Sequence, residues 1–151
     1  MAEALIALGS NVGDREGHLR FAVDRIGGLG RVKAVSSWHE TAPVGYLEQG
    51  MFLNGAVVLE TEMAPEELMG ALLRIEAERG RERRVANGPR TLDLDLLMYA
   101  DRVMDVPGLT LPHPRMHERA FVLAPLAEVA PGAVHPVLKQ SVKRLWEGLK
   151  R

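Results

Sequence analysis

The chain has 151 residues, enough for one hydrophobic core, so a single domain over residues 1–151 is expected. Hydrophobic residues make up 46% and charged residues 26%, and the formal net charge of −1 gives no overall field that would hold nucleic acid or a membrane surface. Without cysteine there is no disulfide framework and no thiolate metal site, no apolar run approaches the roughly 20 residues needed to cross a bilayer, and Met1–Leu8 lacks the basic start and length of a secretory leader, so a cytoplasmic location is expected.

Residues 2–8 have the pattern of a short buried strand, and Gly9-Ser10-Asn11-Val12-Gly13 that of a turn. Asp14 is a good N-cap for a helix to about Ile26, with Leu19, Ala22, Val23 and Ile26 on one face and glycines 27, 28 and 30 at its end. The turn has neither the G-x-G-x-x-G spacing nor the Lys-Ser/Thr of a phosphate cradle, so a tight turn with a cap is expected there. Residues 31–39 form a second strand candidate. Glu40 to Gly50 is a loop by its Pro and Gly content, yet carries Val44, Tyr46 and Leu47. It is either a surface loop tucked onto the core or an adjustable wall over a flat ligand. Residues 51–61 make a third strand, with Asn54 as an amide among apolar neighbours. Buried polar groups need partners, so Asn54 either satisfies nearby backbone or contacts the edge of a ligand.

Pro65 opens a helix with Glu66 and Glu67 at its positive end, Leu68, Leu72 and Ile75 at helical spacing, and Gly80 as the stop. Glu76, near its end, lies beside an arginine cluster, where a salt bridge or a solvated position is usual. Then come short strands through Val103–Val106 and Leu109–Leu111, a polar turn from Pro112 to Arg119, a helix from Phe121 to Val129, and an amphipathic segment over 138–149. The order strand, helix, strand, strand, helix, strand predicts an α+β fold: a ferredoxin-like βαββαβ core sheet with helices packed on it and additional C-terminal elements.

The most informative stretch is Gly88-Pro89-Arg90-Thr91-Leu92-Asp93-Leu94-Asp95-Leu96. Pro89 keeps the preceding residue out of helix, and a strand follows. Side chains alternate along a strand, so Asp93 and Asp95 share one face while Leu92, Leu94 and Leu96 share the other. Two carboxylates held so close repel unless a cation lies between them, and hard oxygen ligands of this kind suit Mg²⁺. Arg81, Arg83, Arg84 and Arg90 flank the pair and supply forked donors for phosphate, and His113 and Arg119 add further donors. The loop around Pro43, together with Asn54 and Phe121, suits a small planar, polar heterocycle held by an aromatic ring and an amide.

These residues fall into motifs that resemble the 6-hydroxymethyl-7,8-dihydropterin pyrophosphokinase family of folate biosynthesis. The motifs are Ala7-Leu8-Gly9-Ser10-Asn11, Glu40-Thr41-Ala42-Pro43-Val44-Gly45, Phe52-Leu53-Asn54, Gly88–Asp95, Leu111-Pro112-His113-Pro114 and Arg119-Ala120-Phe121, in the family's order and over nearly the whole chain. The resemblance implies transfer of the β,γ-pyrophosphoryl group of ATP to the hydroxymethyl oxygen of 6-hydroxymethyl-7,8-dihydropterin, with release of AMP. It implies two Mg²⁺ ions held by Asp93 and Asp95, and catalytic roles for those aspartates with Arg81 and Arg90. Glu76, Arg83, Arg84, Thr110, His113 and Arg119 match the ATP site; Thr41, Pro43, Val44, Phe52, Asn54 and Phe121 match the pterin pocket. The segment Arg84-Val85-Ala86-Asn87 departs from family members that carry a Trp before Gly-Pro-Arg, and Pro114 stands where an aromatic can follow the His. The Arg79–Arg84 and Pro43–Gly50 loops are expected to close over the ligands. ATP and the pterin are the expected partners, with no nucleic acid, membrane or obligate protein partner, and the chain is expected to act as a monomer.

Two other classes compete. A metal-dependent nucleotide hydrolase would use His113 and His117, at i and i+4, with the aspartates. An RNA-binding ferredoxin-like module would need exposed aromatics on its central strands, and only 5% of the residues are aromatic.

Overall fold

The computed structural model describes residues 1–42, 51–79 and 91–150. The expectations for Pro43, Val44, Arg81, Arg83, Arg84 and Arg90, and for closure of the two loops, therefore fall on residues outside those described, apart from Arg79.

In chain order the elements are β1 (Ala2–Ser10), α1 (Arg15–Ile26), β2 (Arg31–Val35), β3 (His39–Thr41), β4 (Phe52–Thr61), α2 (Pro65–Glu78), β5 (Asp93–Tyr99), β6 (Met104–Val106), β7 (Leu109–Leu111), a 3₁₀ turn at Met116–Glu118, α3 (Ala120–Val129) and α4 (Val142–Lys150). Among the described residues, five strands form one sheet in the order β2-β4-β1-β5, with β3 also on β4. The β1–β4, β1–β5 and β2–β4 pairings are all antiparallel. This is the expected βαββαβ arrangement, with β6 and β7 as a separate hairpin.

Local chemistry explains where the elements start and stop. Asp14 caps α1 by accepting from the Gly17 N–H at 3.1 Å. Pro65 opens α2, and the Ala64 N–H donates to Glu67 Oε1 at 3.0 Å. Three boundaries differ from expectation. Gly9 and Ser10 continue β1, paired with Asn54 and Leu53, because the ladder to β4 runs two residues further than their composition suggests. The strand expected over 31–39 breaks in two because Ser36 Oγ accepts the Ala56 N–H at 2.9 Å in place of a backbone carbonyl. The C-terminal helix starts at Val142 and not near Leu138, since Lys139 has φ 58° and His135 Nδ1 accepts from the Val137 and Leu138 N–H groups.

Helices cover both faces of the sheet. On one face Leu19, Ala22 and Ile26 of α1 and Leu68, Leu72 and Ile75 of α2 pack on Ala4, Ile6, Leu8, Val57, Leu59, Leu94 and Leu96. On the other, Val122, Leu123 and Leu126 of α3, with Val142 of α4, pack on Leu5, Ala56, Val58, Leu97 and Met98. The C-terminal elements thus cover the face that an RNA-binding module would leave open. A register shift where Ile6 pairs with Leu96 and Leu5 with Met98 leaves Leu97 as an extra residue in β5. The bulge reverses the alternation, so Leu97 and Met98 both join the α3 face and Tyr99 returns to the other.

Candidate active site

The α3 face opens into a cavity at one end of the sheet. Its floor follows from the register. Gly9 lies between Asn54 of β4 and Asp93 of β5, and Ala7 lies between Ala56 and Asp95. Small residues on the central strand leave room between the amide and the carboxylates. A methyl group on Gly9 would come 3.3 Å from Asn54 Oδ1 and 3.7 Å from the Phe52 ring. The cavity, about 510 Å³, is lined by the floor residues together with Thr41, Phe52, His113, Arg115, Glu118, Arg119 and Phe121.

Asp93 and Asp95 are both half-buried on this face, while Leu92, Leu94 and Leu96 are at most 3% exposed, as strand alternation predicts. Beside the carboxylates stands the Pro112–Arg119 turn. It is fixed to β5 by the His113 N–H, which donates to Leu97 O at 2.8 Å. Burial pushes the His113 imidazole below its usual range; the nearby Arg119 and Arg115 cations push the same way, and Asp93 opposes them. Arg119 occupies the N-cap position of α3 without a side-chain capping hydrogen bond, and its guanidinium lies 5.6 Å from the centre of the Phe121 ring.

On the opposite side, Asn54 is 5% exposed and its Nδ2 donates to Thr41 Oγ1 at 2.6 Å. The amide is thus satisfied by a side chain, with Phe52 and Phe121 as apolar surfaces nearby. An amide held by a hydrogen bond in a lining that also carries two aromatic rings suits a flat heterocycle bearing donors and acceptors.

Glu76 and Thr110 are not part of the described lining. Glu76, 2% exposed, lies on the α2 side of β5 and accepts the Leu94 N–H at 2.7 Å, so it is buried and not solvated. Thr110 is exposed on β7, where its hydroxyl donates to Asp105 Oδ1 at 3.3 Å. Of the lining residues to which the sequence assigned no role, Ala7 and Gly9 stood only in the Ala7–Asn11 motif, Gly9 as part of an expected turn, and Arg115 and Glu118 as charges in the polar turn.

Among the described residues there is no cluster of three or more His, Cys, Asp or Glu that could hold a metal. His117 does not line the cavity; its ring meets His135 edge to face, 6.2 Å between centres. The His113–His117 pairing that a transition-metal hydrolase would use is therefore not formed. Two carboxylates on an open floor fit Mg²⁺ instead, an ion that commonly takes one or two carboxylates and fills its remaining positions with phosphate oxygens and water.

A carboxylate pair beside cations, with a hydrogen-bonded amide and aromatic rings in the same lining, is the chemistry of a phosphotransfer enzyme. Residues 5–131 match the family model described as 7,8-dihydro-6-hydroxymethylpterin-pyrophosphokinase (HPPK), and the chain belongs to that family. It is 52% identical over 128 residues to the 2-amino-4-hydroxy-6-hydroxymethyldihydropteridine pyrophosphokinase of Bacillus subtilis, covering 83% of this chain and 77% of that one. It is 35% identical over 143 residues to the protein of the same name from Aquifex aeolicus, covering 95% and 89%. Among solved structures, Plasmodium falciparum HPPK-DHPS with pteroate is similar at a TM-score of 0.77 and 14% identity, a likeness of fold. The match covers 97% of this chain but 42% of that one, so the chain spans less than half of that longer protein.

Proposed function

We infer that this chain transfers the pyrophosphoryl group of ATP to the hydroxymethyl oxygen of 6-hydroxymethyl-7,8-dihydropterin, a step of folate biosynthesis. The hydroxymethyl oxygen attacks the β-phosphorus, the bond from that phosphorus to the α,β-bridging oxygen breaks, and AMP leaves with that oxygen. The hydroxyl proton passes to solvent. The observation that carries this reading is the cavity floor, where Asp93 faces Asn54 across Gly9 and Asp95 lies beside it on the same strand face, across Ala7 from Ala56.

Transfer of this kind depends mainly on alignment and on neutralising charge. Asp93 and Asp95 would hold the Mg²⁺ ions, two by family resemblance, and the metal would supply charge neutralisation for the polyphosphate and activation of the acceptor hydroxyl. Arg119 and His113 bind phosphoryl oxygens at the turn, with Arg81, Arg83, Arg84 and Arg90 assigned to the same side by resemblance. Glu76 serves that side through Leu94, and Thr110 is assigned to the nucleotide at the outer hairpin. Thr41, Asn54, Phe52 and Phe121 orient the pterin, with Pro43 and Val44 assigned there by resemblance. We further propose that residues 1–151 act as one domain and as a monomer, since a single chain supplies the described lining. A cytoplasmic location fits a reaction that consumes ATP.

The test is incubation with Mg-ATP and the hydroxymethyl dihydropterin, followed by nucleotide analysis. AMP formed in step with pterin consumption is the expected result. ADP would mark an ordinary kinase, and inorganic phosphate released without pterin would mark a hydrolase; either overturns the reading.

A further inference from the structure

β3 carries Thr41, yet it is only three residues long. Its ladder to β4 pairs His39 with Asn54, Glu40 with Leu53 and Thr41 with Phe52. The last of these pairs holds two residues of the cavity lining, at the end of the ladder where fraying is easiest. At its start, β3 is tied to α3: the Ser37 N–H and hydroxyl donate to Glu128, and His39 Nε2 lies 3.0 Å from the same carboxylate. At the cavity end the tie comes from α1. Arg15 Nη2 donates to Glu40 Oε2 at 2.8 Å, and Nη1 donates to Met51 O at 3.0 Å. Glu40 precedes Thr41 and Met51 precedes Phe52, so one guanidinium spans the last rung from both strands.

Arg15 is the first residue of α1, the positive end of a helix, where a cation is disfavoured unless it has partners. The planar fork of an arginine suits two acceptors at once, in a way that a lysine ammonium does not. The ion pair is also exposed, with side-chain exposures of 31% for Arg15 and 52% for Glu40, so it adds little to overall stability.

We propose that Arg15 is a positioning residue for the acceptor substrate, holding the Thr41–Phe52 rung, and with it the Thr41–Asn54 hydrogen bond, in the geometry that receives the pterin. This rests on the assignment of that side of the cavity to the pterin. The test compares Arg15→Ala, Arg15→Lys and Glu40→Gln with the wild-type chain. Steady-state kinetics would vary each substrate in turn, and pterin binding would be followed separately by its fluorescence. Arg15→Ala is expected to raise KM and Kd for the pterin about three- to five-fold, with KM for ATP, kcat and the melting temperature nearly unchanged. Arg15→Lys and Glu40→Gln, each keeping part of the tie, are expected to fall between. An unchanged pterin Kd in Arg15→Ala, or equal rises in KM for both substrates, would overturn the proposal. Absence of AMP from the wild-type chain would instead overturn the functional assignment, and the direct pterin Kd keeps the two failures apart.

Discussion

The two faces of the sheet have different kinds of content although they are made by the same strands. The α1–α2 face is dry, with Ile6, Leu59, Leu94 and Leu96 at most 3% exposed against leucines and isoleucines of two helices. The α3 face is dry only over its far half, around Leu5, Val58 and Met98. Over its near half it carries Ala7, Gly9, Asn54, Asp93 and Asp95, and there these residues line the cavity. Along β5 the two programmes alternate residue by residue. Stability and chemistry are therefore separated by a single step in sequence, and that separation can be tested by substituting neighbours.

The largest expected effect comes from the pair Asp95→Ala and Leu94→Ala. Removing the Asp95 carboxylate takes away a proposed metal ligand and should lower single-turnover AMP formation by about a thousandfold or more, with little change in melting temperature. Removing the buried Leu94 side chain should do the reverse, costing about 2–5 kcal/mol of stability while the protein that remains folded keeps its KM values. Urea unfolding and quench-flow kinetics on both variants settle the matter. If both variants lose stability and chemistry together, the two faces are not independent.

Glu76 tests whether the dry face serves the wet one. Its buried carboxylate takes the N–H of Leu94, the residue between the two aspartates, on a strand that lies at the edge of the sheet among the described residues. Glu76→Ala leaves that N–H without this acceptor and is expected to cost about 1–3 kcal/mol. Because the strand then loosens between Asp93 and Asp95, kcat should fall as well, unlike in Leu94→Ala. Unchanged kcat in Glu76→Ala would confine Glu76 to packing.

Much of this contrast was legible in the sequence. Alternation alone put Asp93 and Asp95 on the face opposite Leu94, and the Asp14 and Pro65 signals located both core helices. What was not legible depends on register between distant segments. Nothing local shows that Leu97 is a bulge, that Ser36 replaces a ladder carbonyl, or that Gly9 ends up between Asn54 and Asp93. The side chain of Glu76 points to the same lesson: its helical position was plain, but its acceptor role depends on which edge of β5 faces α2. Arg115 and Glu118 entered the lining because the turn at 112–119 folds back on β5, and pairwise spacing does not encode that return.

Gly9 gives a smaller and more specific effect. A methyl group there would crowd Asn54 Oδ1 at 3.3 Å, a contact that Asn54 can relieve only by shifting relative to Thr41. Gly9→Ala should therefore weaken pterin binding about five- to tenfold, by roughly 1 kcal/mol, with ATP binding nearly unaffected. Calorimetric titration with each ligand separates the two. Equal losses for both would mean that the floor acts as one unit and not as two sides.

The smallest effect concerns the far end of the α3 face, where Glu128 ties α3 to the start of β3. Hydrogen bonds from His39, and then from the backbone and hydroxyl of Ser37, hold the Glu128 carboxyl down to about 2, against an ordinary value of 4.5. A carboxyl with a depressed folded pKa stabilises the fold fully above its unfolded pKa, and that contribution is lost as pH falls from there through the folded value. The loss therefore runs from about pH 4.5 down to about pH 2. It should be modest, because the Glu128 side chain is 40% exposed and solvent screens the charge. Melting curves of the wild-type chain and Glu128→Gln should differ most near neutrality and converge as the pH approaches 2. A gap that stays constant over that range would mean that the three donors hold β3 by shape and not by the carboxylate charge, and the wet face would then owe its placement to packing, as the dry face does.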